Sequence, residues 1–166
     1  TEAMERHVLD VLPGRAGAAA LGVLLVAAAL FAGPVTAQDD WQLPGLDGGA
    51  LTSADVAHGS TIVVLFAGWS PRCQDVVERS NGVVSKWGGR ARVVLVDFQE
   101  EAGEVHGFLA GKDSQAAVYL DGDGAFAKRY ALANLPGLLL LRDGAVLYGG
   151  RLPDQPDGLL DDKLGR

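Results

Sequence analysis

The stretch TIVVLFAGWSPRC, residues 61–73, decides the fold: a β-branched and aromatic run stops at Gly68-Trp69 and passes directly into Ser70-Pro71-Arg72-Cys73. Thr61–Ala67 shows no apolar-polar alternation, the pattern of a strand covered on both faces. Ser is favoured as a helix N-cap and Pro at the first helical position, so a helix is predicted from about Pro71 to Trp87. Val76, Val77, Val83, Val84 and Trp87 are its candidate core residues, Gly82 is its weak spot, and Gly88-Gly89 stops it. Ala91–Phe98 reads as a second buried strand. A strand, a helix and a buried strand in that order require a parallel crossover.

Working outward, Glu101–Leu109 is predicted helical, with Val105, Phe108 and Leu109 on one side. Ala116–Leu120 is a short strand ended by the turn Asp121-Gly122-Asp123-Gly124, and Ala125–Tyr130 is a helix of one or two turns. Leu138–Leu141 and Ala145–Tyr148 form a β-hairpin around Arg142-Asp143-Gly144, and a last helical turn starts near Leu159. Upstream, Trp41–Leu46 and Ala50–Thr52 are short extended pieces joined by Asp47-Gly48-Gly49, and Ser53 is placed to cap a helical turn at Ala54–Val56. No repeat or low-complexity linker divides residues 38–166, which read as one α/β domain: a central mixed β-sheet flanked by helices, with an N-terminal β-hairpin extension.

Residues 1–37 read differently. Ala16–Ala37 carries no charge, is rich in Ala, Leu and Val, and ends in Val35-Thr36-Ala37, the small-x-small form of a signal-peptidase site. The segment is predicted to be a cleaved signal peptide; a retained membrane anchor is the alternative, since residues 16–37 suffice to cross a hydrocarbon layer of roughly 30 Å. Either reading makes the protein exported, periplasmic or anchored facing the extracytoplasmic side.

The net charge is -7 and the pI about 4.8, with no run of Lys and Arg, so no nucleic-acid partner is expected. His7, His58 and His106 are scattered without companions at ligand spacing, and no metal or other cofactor is expected. Asp121-Gly122-Asp123-Gly124 begins like a calcium loop, but Ala125 takes the next ligand position and the turn is read as plain. Asp97 is read as a solvated strand-end carboxylate rather than a buried proton relay. Cys73 is the one cysteine, so no intrachain disulfide can form. It is either a buried, inert small hydrophobe or a thiol that reacts outside the chain.

The segments DWQLPGLDGGALTSADVAHGSTIVVLFAGWSPRC, ARVVLVDFQEE, AAVYLDGDGAFAKRYAL and NLPGLLLLRDGAVLYGGRL together resemble the TlpA/ResA-like thioredoxins over nearly all of residues 41–152. The resemblance implies a thioredoxin fold and a Cys-x-x-Cys motif in which an exposed first thiolate attacks a disulfide and a more buried second thiol resolves it. Here Trp69, Pro71 and Cys73 match that motif, while Ser70 stands at the attacking position and Arg72 between. The Glu and Pro that commonly follow in relatives are not in register in Gln74-Asp75-Val76-Val77. By the same resemblance Pro136 corresponds to the family's cis-proline, preceded by Leu135 where relatives often carry Thr or Val.

Three functions fit these residues. The first is a redox-inactive or monothiol module that holds a peptide or partner protein in a groove formed by Trp69, Ser70, Pro71, Arg72, Leu135 and Pro136. The second is a thiol peroxidase, because peroxiredoxins show a Thr/Ser-x-x-Cys arrangement; Arg72 would then lower the pKa of Cys73. Against it, Phe66 stands where that family wants proline. The third is a periplasmic thiol:disulfide oxidoreductase in which Ser70 is a trapping substitution.

Overall fold

The computed structural model describes residues 40–165. The predicted signal segment lies outside the described residues. Strands β1 (Gln42–Pro44) and β2 (Ala50–Thr52) pair as an antiparallel hairpin. Strands β3 (Ser60–Phe66), β4 (Arg92–Phe98), β5 (Ala117–Asp121), β6 (Gly137–Arg142) and β7 (Ala145–Arg151) make a five-stranded sheet in the order β5-β4-β3-β6-β7. The β3-β4 and β4-β5 pairs are parallel, and β3-β6 and β6-β7 are antiparallel. Four helices complete the domain: α1 (Val76–Trp87), α2 (Ala102–Leu109), α3 (Ala125–Arg129) and α4 (Asp157–Leu164). The predicted mixed sheet with an N-terminal hairpin is therefore present.

Side chains alternate along a strand, and β3 shows what that does at the centre of a sheet. Ile62, Val64 and Phe66 join one core with Val76, Val77, Val83 and Trp87 of α1, Val105 of α2 and Leu160 of α4. Val63 and Leu65 face the other core, built from Leu43 and Leu51 of the hairpin and Phe126 of α3. Leu138–Leu141 divides in the same way, two leucines to each face and all fully buried. A strand that must be apolar on both sides has no polar alternation to show. Truncating any one of these leucines to Ala would cost about 2–5 kcal/mol.

Several boundaries differ from the sequence reading. The helix expected from Pro71 is divided into a 3₁₀ turn, Pro71–Cys73, and α1, which starts at Val76. Ser53 caps no helix; Thr52 and Asp55 close that turn, the Asp55 carboxylate accepting from the Thr52 N–H at 2.8 Å and its hydroxyl at 2.7 Å. The final helix is two turns long, because Asp157–Leu164 buries Leu160 and Leu164 against the α1 side of the core.

Candidate functional site

Strand β3 delivers the chain to the turn Ala67-Gly68-Trp69-Ser70, whose Ser70 N–H bonds back to the Ala67 carbonyl at 3.1 Å. Pro71 then starts the 3₁₀ turn, closed by the Cys73 N–H on the Ser70 carbonyl at 3.0 Å. Gln74, which no sequence signal marks as a site residue, locks this geometry. Its side-chain amide donates to the Gly68 and Ser70 carbonyls at 3.1 and 3.2 Å. Trp69 is left 62% exposed at the tip, while Cys73 is fully buried and Ser70 nearly so.

The expected role of Ser70 as a side-chain helix cap is not what the structure shows, since its hydroxyl makes no capping bond. The hydroxyl instead bears on the Cys73 thiol, favouring its charged form. Burial pushes that thiol above its ordinary value; the Ala67 backbone and the Ser70 hydroxyl oppose the shift only in part. The charged groups acting on it are Asp75 and Arg79. Arg72 is exposed and is not among them, so the charge effect expected of it is absent.

Across from the turn lies the start of β6, where the Leu135–Pro136 peptide bond is cis. The Pro136 carbonyl accepts the Leu152 N–H at 3.0 Å, which fixes the end of β7 beside it. Arg79 of α1 reaches over to donate to the Leu152 and Pro153 carbonyls at 3.3 and 2.6 Å. These contacts enclose an open cleft of about 340 Å³ in which Pro71, Arg72 and Pro136 meet Arg79, Arg151 and Asp154. Trp69, Ser70 and Leu135 do not line this cleft; Leu135 lines a separate cavity of about 120 Å³ with Leu65, Phe98 and Leu132. Arg79 and Arg151 were invisible as site residues, because Arg79 and Leu152 are 73 positions apart in sequence and only the fold joins them.

Behind the turn, Asp97 corrects another expectation. It is fully buried rather than solvated, because β4 is an inner strand that places it between Phe66 and Leu120. Gln99 then turns the chain at φ 60°, folding Glu100 back over the strand end. The Asp97 carboxylate accepts the Glu100 N–H at 3.0 Å, and the Glu100 carboxylate accepts the Gly68 N–H at 2.5 Å. Burial first, and the adjacent Glu100 carboxyl second, push the Asp97 pKa up to about 8. Gly68 is confined at the other end of this chain of contacts. A Cβ there would meet Phe108 Cβ at 3.0 Å and Glu100 Oε1 at 3.1 Å.

No family model matches the chain, and no curated protein matches it. Solved structures do. The chain is similar to a protein assigned as the thiol:disulfide interchange protein DsbE of Chlorobium tepidum, at 23% identity and TM-score 0.64, covering 75% of this chain and 90% of that one. It is similar to the exposed lipoprotein thioredoxin Etrx1 of Streptococcus pneumoniae, at 18% identity and TM-score 0.65, over 76% and 99% of the two chains. A secreted Mycobacterium tuberculosis disulfide oxidoreductase is also similar, at 17% identity and TM-score 0.62, over 76% and 96%. At these identities the likeness carries the fold: the domain is thioredoxin-like.

Proposed function

We propose that this is an exported thioredoxin-like module of the TlpA/ResA type that binds an extended peptide or protein segment at the surface of Trp69, Pro71, Arg72 and Pro136 without dithiol exchange. The observation that carries it is the placement of Ser70 and Cys73. A serine occupies the attacking position, and the remaining thiol is fully buried with its pKa raised. A serine hydroxyl cannot act as the attacking thiolate, and a thiol kept protonated and covered is a poor nucleophile. What the site still offers is surface: an exposed indole and a cleft beside Pro136. Export is supported by the uncharged run at 16–37 and by the described character of two similar structures, one secreted and one an exposed lipoprotein.

Alkylation with mass mapping tests the reading. Native Cys73 should resist iodoacetamide and label fully once the protein is unfolded in urea, and the protein should not reduce insulin. Rapid conversion of native Cys73 to a sulfenic acid by peroxide would instead establish the thiol peroxidase function.

A further inference from the structure

The cleft beside Pro136 has a charge unlike the rest of the molecule. The chain carries a net charge of -7, yet three arginines, Arg72, Arg79 and Arg151, line this one cleft against two carboxylates, Asp75 and Asp154, both beside Arg79. Their states differ. Arg79 is committed: its guanidinium holds two carbonyls and lies 3.9 Å from Asp75 and 3.8 Å from Asp154. It is mostly buried and serves to pin the Leu152–Asp154 segment to α1. Arg72 and Arg151 are exposed, and neither has an ion-pair partner among the described residues. They come from different elements, Arg72 from the 3₁₀ turn and Arg151 from the end of β7, where it stands in register with Gly137 next to Pro136.

We infer that Arg72 and Arg151 select the partner: the cleft takes a segment carrying an aspartate or glutamate side chain, which the two guanidinium groups bind together. This rests on the peptide-binding reading above and adds the chemistry of the peptide. An arginine presents a planar fork of donors that matches a carboxylate in two parallel bonds, which a lysine cannot do. The volume of about 340 Å³ holds one or two side chains rather than a folded element. The acidic remainder of the surface repels an acidic segment elsewhere, so the pair of arginines also fixes where and in which register it docks.

A positional-scanning library of acetylated, amidated decapeptides, incubated with the intact domain and with an Arg72→Gln/Arg151→Gln double variant, tests this. Both side chains are exposed, so the variant should melt with the parent. The native protein should enrich peptides with Asp or Glu. The double variant should bind an enriched acidic peptide about tenfold more weakly, and raising the salt should weaken binding to the native protein more than to the variant. Peptides bound without acidic preference, or with a preference that survives both substitutions, would overturn the inference and leave peptide binding standing. No peptide bound at all, with Trp69 emission unmoved, would overturn both.

Discussion

Burial and a neighbouring hydroxyl set the chemistry of position 73, and position 70 decides whether that chemistry can turn over. The Cys73 N–H closes a turn on the Ser70 carbonyl at 3.0 Å, which holds positions 70 and 73 on one 3₁₀ turn, and the Ser70 hydroxyl favours the charged form of the thiol. A Ser70→Cys variant should therefore form a 70–73 disulfide and gain insulin reduction, rising from none to a measurable rate. Thiol counting before and after mild oxidation reads the first effect, and a turbidity assay the second. A variant that keeps two free thiols in air and stays inactive would mean that the scaffold has lost more than its nucleophile. Ser70 was legible as the decisive departure because one residue type stands where the chemistry demands another. Burial of Cys73 was one of its two sequence readings, whereas burial of Asp97 ran against its reading as a solvated carboxylate. Each depends on what covers it: for Asp97 a chain reversal at Gln99 that no local signal announced.

Elements were easier to read than their ends, and the calcium-like turn shows why. Asp121 closes β5, and its carboxylate accepts the Phe126 and Ala127 N–H groups at 3.0 and 2.9 Å, while Asp123 accepts the Ala125 N–H at 2.9 Å. Two aspartates thus satisfy the donors that open α3, and the short helix holds Phe126 against Trp41 with ring centroids 4.9 Å apart. Because Asp121 is buried, Asp121→Ala should cost about 1–2 kcal/mol, the upper range for a lost cap. Urea unfolding with an unchanged slope would show it; Asp123→Ala, at an exposed cap, should cost less. Strands β3, β4 and β6 were legible because a segment buried on both faces has a continuous apolar run as its only solution. The division of the helix at residues 73–76 was hidden, since it follows from Gln74 reaching back to two carbonyls rather than from any helix-breaking residue. The cleft was hidden for a related reason: its arginines come from elements that meet only in the finished sheet.

At the scale of the whole molecule, two aspartates shifted in opposite directions limit stability on both sides of about pH 3.8. Asp55 is held below its ordinary 3.8 by the Thr52 hydroxyl and N–H, so it contributes stability that is present above 3.8 and lost as the pH falls through its lower folded value. Asp97 works the other way. Its folded pKa is about 8 against 3.8 for the free group, raised by burial and by Glu100, with Glu104 adding to the repulsion. Below 3.8 the carboxyl is protonated in both states and costs nothing. Between 3.8 and 8 the folded protein keeps a proton that the unfolded chain has released, so stability falls as the pH rises, and above 8 the full cost is present. Asp97→Asn keeps the shape and cannot ionise. Its urea midpoint should match the parent near pH 4, exceed it by a growing margin up to pH 8, and stay ahead by a constant margin beyond. Equal slopes for the two proteins across that window would show that Asp97 is ionised throughout. The same titration reaches the site, because Asp97 accepts from Glu100, whose carboxylate holds the Gly68 N–H one residue before Trp69. Emission from Trp69 should therefore change with the same midpoint in the parent and be flat in Asp97→Asn, with Trp69→Phe separating it from Trp41 and Trp87.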